Sequence, residues 1–190
     1  MRMFSEWLDS ILENVDGISS SGFEVYDTIK SKNFEDHLEY GPVFLCYINV
    51  DDAVKNRIWD QDYLVKFKVN GLNDFLVLNK QLAQELRGGM SVQEQLDAFG
   101  MKYDETTIKR MESFYNGEHE WWLDGNYLHF EFSKDKKCRG VLTKDHSGEI
   151  LVAIYTPLRG VKVKTITDLK TNKEVGLSLS TKFPILKKIF

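Results

Sequence analysis

From residue 138 to residue 179 the chain repeats one pattern, an apolar, β-branched run followed by a short polar turn. This succession constrains the fold more than any other feature of the sequence. Residues 138–143 and 149–156 flank a turn at Asp145-His146-Ser147-Gly148, and residues 161–169 and 175–179 flank another at 170–173. Just upstream, Trp121-Trp122-Leu123 and Tyr127-Leu128-His129-Phe130 bracket Asp124-Gly125, a strong hairpin signal. Three successive hairpins predict an antiparallel sheet.

Earlier in the chain the period changes. Phe4, Trp7, Leu8, Ile11, Leu12 and Val15 recur at helical spacing and Gly17 stands at the place of a C-terminal cap, so an amphipathic helix is expected there. Its other face carries Glu6, Asp9, Glu13 and Asp16, which fits packing on a core better than lying on a membrane. Residues 17–42 show no clear period; Tyr26, Ile29, Phe34 and Leu38 sketch a short helix. Residues 43–50 read as a strand buried on both faces, 63–69 alternate as a half-buried strand, and 75–78 form a short apolar run before a helical segment that ends near Arg87. Ser91-Val92-Gln93-Glu94 is a capping box, and two short helices, one closed by Gly100 and the next running from Asp104 to Gly117, make an αα-hairpin. The expected architecture is α+β: an antiparallel sheet built from the C-terminal hairpins, with an N-terminal helix and a central αα-hairpin packed on it. One compact domain over 1–190 is expected, with an acidic, helix-containing part at 1–117 and a hairpin-rich sheet at 118–190.

With 42% apolar and 28% charged residues the chain is ordinary for a globular protein, and its length suffices for a core without covalent staples. The two cysteines, Cys46 and Cys138, sit in apolar or strand-like contexts and are expected to be separate buried thiols. Charge is mixed into the opening residues and no long apolar run follows, so no secretory signal or membrane span is expected and a cytoplasmic location is the default. No phosphate-cradling, dinucleotide, nucleophile-elbow, C-x-x-C or H-E-x-x-H pattern occurs, so no cofactor or metal is implied.

The net charge of −4 conceals a division. Residues 1–131 hold 12 Lys+Arg against 24 Asp+Glu, whereas residues 132–190 hold 13 against 5. Either the two parts neutralise each other internally, or an exposed pole is left for a charged partner. In the first 62 residues 5 basic groups face 13 acidic ones. Asp51, Asp52, Asp60 and Asp62, with Trp59 and Tyr63 as aromatic anchors, are therefore the candidate surface for a basic protein partner, such as a nuclease toxin. On this expectation the chain is an inhibitor or immunity-type binding module.

Two alternatives rest on other residues. Lys66, Lys68, Lys162 and Lys164 fall at alternate strand positions and suit a phosphate backbone, although alternating lysine also protects exposed strand edges. If Asp124-Gly125 is the hairpin loop, Glu120 pairs with His129 and Glu118 with Glu131 on one face. That arrangement suits acid/base or metal-assisted chemistry, and equally a solvated sheet face. Cys138, next to Lys137 and Arg139 with Lys136 beyond, is a weaker nucleophile candidate. The αα-hairpin superficially resembles a helix-turn-helix, but the pattern fails at Leu96, Thr106 and Lys109, where that motif needs a small and two buried residues.

Overall fold

The computed structural model describes residues 18–19, 22–30, 43–57, 60–119, 128, 132, 137–155 and 161–176. Nine strands belong to one sheet: β1 (Ile18–Ser19), β2 (Gly22–Ile29), β3 (Val43–Tyr47), β4 (Tyr63–Asn70), β5 (Phe75–Val77), β6 (Gly140–Lys144), β7 (Ile150–Tyr155), β8 (Val161–Asp168) and β9 (Lys173–Glu174). Eight run in the order β5-β6-β7-β3-β2-β4-β8-β9, with β1 paired to the start of β2. Four helices are described: α1 (Val50–Lys55), α2 (Lys80–Arg87), α3 (Val92–Phe99) and α4 (Glu105–Tyr115). None is long and apolar enough to cross a membrane.

The class is thus mixed α and β with a mostly antiparallel sheet, but the sheet is not confined to C-terminal hairpins. Five of its strands come from residues 18–77. Residues 22–29 form a strand where helical spacing was expected. Phe23, Val25, Asp27 and Ile29 alternate into the core, and the acidic residue on that buried face breaks the apolar signal. Strand β5 pairs parallel to β6, the one parallel pairing among the described strands; the connection between them carries α2, α3 and α4. Leu128 is helical rather than extended, as is Phe132 four residues on, and both are fully buried. The two form an i, i+4 apolar pair, so Leu128 itself departs from the strand expected there. The rest of the Asp124-Gly125 hairpin and the N-terminal helix lie outside the described residues.

Other expectations meet their elements. In β4, Val65, Phe67 and Val69 are fully buried while Lys66 and Lys68 take the other face. Ser91 and Glu94 complete the capping box of α3, and α4 is capped by Asp104, which accepts from Thr107 N at 2.8 Å. The β6–β7 and β8–β9 hairpins form, the second turning at 169–172, with Asn172 left-handed at φ 52°.

The sheet is strongly curled. Phe23 of β2 and Phe75 of β5 lie four strand steps apart, roughly 19 Å on a flat sheet, yet their rings meet edge to face at 5.4 Å. Curling closes the inner face on itself, and Phe44 and Phe67 meet there at 5.0 Å. Gly140 permits the closure: a Cβ at this position would lie 2.2 Å from Ala153 O and 2.4 Å from Phe75 Cε1. On the outer face, Tyr155 of β7 is covered by Phe132, which in turn meets Tyr103 edge-on at 5.4 Å. Among the described residues, no helix is seen over the outer face of β3, β2, β4 and β8, which carries Leu45, Tyr47, Glu24, Tyr26, Lys66, Lys68 and Lys162.

Candidate functional site

Helix α1 crosses the sheet at the ends of β2 and β3 and creates an acidic corner. Asn49 caps it, accepting from Asp51 N at 2.8 Å, and Asp51 and Asp52 fill its first turn, where negative charge suits the helix dipole. Its far end is tied to the β6–β7 turn. Lys55 Nζ lies 2.5 Å from Glu149 Oε1, and Asn56 Nδ2 donates to Glu149 Oε2 at 2.6 Å. Asp145 shapes that turn by accepting from Glu149 N at 2.8 Å and from Ser147 Oγ at 2.7 Å.

Carboxylates outnumber cations at this corner, and the titrating groups register it. Asp52 is raised from its ordinary range, first by burial and then by Glu149, Asp145 and Asp51, against the opposing pull of Lys55. Tyr47, at the end of β3, is pushed up to about 12 by burial and by Glu149, Asp27, Asp145 and Asp52. Beside them stand Leu45, 37% exposed on the same strand face as Tyr47, and Val50, 36% exposed at the start of α1. They are the exposed large apolar side chains among the described residues.

The other acidic candidates are engaged inside the molecule. Asp60 Oδ2 lies 2.6 Å from Lys30 Nζ, and this hydrogen bond holds its carboxyl below the usual range. Asp62 Oδ2 lies 2.5 Å from Lys170 Nζ, in the β8–β9 turn. Tyr63 is half-buried against the core, and Trp59 lies outside the described residues. Of the residues expected to share one surface from Asp51 to Tyr63, Asp51 and Asp52 stand at the acidic corner, whereas Asp60 and Asp62 pair with Lys30 and Lys170. Glu149 and Asp145, which complete the corner, were invisible as partners of α1 because some 90 residues separate them from it. The sequence signal present, a turn rich in polar residues, reads the same with or without a helix beside it.

The open sheet face holds the lysine set. Lys66 Nζ is 2.7 Å from Glu24 Oε2 and sits 5.8 Å from the centroid of the Tyr26 ring. Lys68 and Lys162 are direct cross-strand partners on β4 and β8. A bulge between Lys66 and Phe67 makes Lys164 the extra residue of β8, so strict alternation with Lys162 is broken. Lys68, Lys162 and Lys164 are all exposed, and no described carboxylate pairs with them.

The catalytic candidates are not brought together by what is described. Glu118 is exposed just beyond α4; Glu120, His129 and Glu131 lie outside the described residues. No group of three His, Cys, Asp or Glu among the described residues is placed to hold a metal. Cys138 is buried and its thiol donates to Gly140 O at 3.1 Å, while Lys137 turns to Gly100 O at 2.6 Å and Arg139 to the carbonyl of Gly71 at 2.9 Å. The proposed activation of this thiol by its basic neighbours is thereby corrected. Cys46 is free and buried too, with burial and Asp27 pushing its thiol up. On the αα-hairpin, Lys109 pairs with Glu105 at 2.7 Å and Leu96 is fully buried. Comparison with known proteins finds no match: no protein-family model, no curated protein and no solved structure is similar to this chain.

Proposed function

We propose that the chain is a protein-binding module which receives a basic protein on the corner built by α1 and the 145–149 turn. The observation that carries this reading is the coincidence of uncompensated carboxylates with exposed apolar groups. Asp51, Asp52 and Asp145 surround a corner where Leu45 and Val50 stand exposed. Apolar anchors with a charged rim are the usual anatomy of a protein interface, the rim steering encounter and the anchors supplying desolvation. An inhibitor or immunity-type role, against a cationic enzyme such as a nuclease toxin, is the finer form of this proposal.

The test is capture from native lysate with the full chain, identification of the captured protein, and titration of the purified pair. A cationic partner whose affinity falls with salt, and drops about tenfold or more (~1.4 kcal/mol) in Asp51→Lys/Asp52→Lys, supports the reading. Leu45→Ser and Val50→Ser should lose affinity through faster dissociation. A partner indifferent to all four changes, or binding equally at high salt, defeats it.

A further inference from the structure

We infer that the open face of the sheet is a binding site for single-stranded nucleic acid, with Lys68, Lys162 and Lys164 on the phosphates and Tyr26 as the platform for a base. This site is separate from the acidic corner and does not depend on the protein-binding reading.

Lysines on a strand are ordinarily explained as guards against edge-to-edge association. That explanation fits β8, which among the described strands is paired on its far side only by β9, at Thr167 and Asp168. It does not fit β4, which is paired along its length by β2 on one side and β8 on the other. Lys68 stands on this interior strand, directly opposite Lys162. Like charges directly opposite across a strand pair destabilise a sheet, so the pair is a cost to the fold that protection of an edge does not repay.

Glu24 is the cross-strand partner of Lys68 on β2 and is the natural group to neutralise it. Instead its carboxylate turns to Lys66, and the Tyr26 hydroxyl donates to it at 3.4 Å. Lys66 is thereby held over the Tyr26 ring, where a stacking base would displace it, while Lys68, Lys162 and Lys164 remain without an anionic partner among the described residues. A linear polyanion supplies what is lacking.

The surface is a sheet face with an aromatic ring among its lysines, which suits unpaired bases that stack while their backbone follows the charges. No helix or protruding two-stranded ribbon on this face is described that would enter a duplex groove. The acidic corner around Tyr47 borders the face and repels phosphate, so the footprint is short and lies toward β4 and β8.

The experiment is fluorescence anisotropy of the full chain with a labelled oligo(dT) and oligo(U), a duplex of equal length, and vesicles containing phosphatidylserine. Three phosphate contacts on a single strand predict that log K falls against log salt with a slope of about −2. Lys68→Glu/Lys162→Glu/Lys164→Glu should abolish binding, and the milder Lys68→Gln/Lys162→Gln should flatten the slope without lowering the melting transition. Tyr26→Leu should weaken binding about fivefold or more at constant slope. Asp51→Lys/Asp52→Lys should not reduce it, so failure of the acidic corner and failure of this site are told apart. No binding, equal or tighter binding to duplex, binding to vesicles alone, or affinity unaffected by the lysine changes would each overturn the inference.

Discussion

Tyr47 reports on the acidic corner because its phenol can ionise only against burial and four carboxylates. Its pKa in the fold, about 12, lies above the ordinary value near 10. The neutral phenol is therefore favoured by folding. Its contribution is fully present below pH 10 and is lost as pH rises from about 10 through 12. At a half-buried site the difference amounts to something on the order of 1–2 kcal/mol after allowance for screening. Denaturation measured from pH 8 to 12 should show the wild-type chain losing stability relative to Tyr47→Phe over that window. Asp145→Asn should shift the phenolate absorbance transition of Tyr47 to lower pH, and a transition that stays put would remove the carboxylate field on which the proposed binding corner rests.

Among the elements, β5 shows how a sheet edge is closed without another strand. Among the described strands it pairs with β6 alone. On its other side, Arg87 at the end of α2 donates to the carbonyl of Phe75 at 2.8 Å and to that of Leu72 at 2.7 Å. Gln95 of α3 accepts from Val77 N at 2.8 Å and donates to Val77 O at 3.1 Å. One side-chain amide thus stands in for a neighbouring strand, satisfying backbone groups whose burial without partners is costly. Gln95→Leu strands both groups in the interior and should lower stability by about 2–3 kcal/mol in urea denaturation. Gln95→Ala, which admits water, should lose less, and a Gln95→Leu protein as stable as wild type would show that the edge needs no such closure. The same element marks the border of what the sequence discloses. The caps of α3 and α4, the alternation of β4 and the β6–β7 hairpin are local patterns, readable from a dozen residues. The place of β5 beside β6, the amide of Gln95 reaching back 18 residues, and the strand character of Gly22–Ile29, disguised by a buried Asp27, are products of long-range pairing. Of the acidic corner, Asp51 and Asp52 were legible from composition. Asp145 and Glu149 were not, because nothing local ties them to α1.

At the scale of the whole molecule, the division of charge along the chain is partly resolved inside the fold and partly kept. Asp62 with Lys170 and Asp74 with Arg139 join the acidic part of the sequence to the basic part, the latter at 3.0 Å. Among the described residues, two groups of like charge lie beside one sheet face: carboxylates near Tyr47, and lysines on β4 and β8 near Glu24. Keeping like charges together works against the compact state, so relieving either cluster should stabilise the fold while removing its proposed ligand. Lys162→Glu turns the opposed lysine pair into an attractive one and should raise stability by a few tenths of a kcal/mol. Asp145→Asn is not suited to the companion measurement because it also caps its own turn. Asp51→Asn is, since Asp51 is exposed and accepts no hydrogen bond that holds the turn or the helix cap, and its gain is the repulsion relieved less the helix-dipole attraction lost from the first turn of α1. Because the two sites share no partner, their effects on the denaturation midpoint should add to within about 0.5 kcal/mol in the double variant. Stability unchanged or lowered by Lys162→Glu would mean that the lysines already have their charge answered, and with it the argument for a polyanion on the sheet would fall.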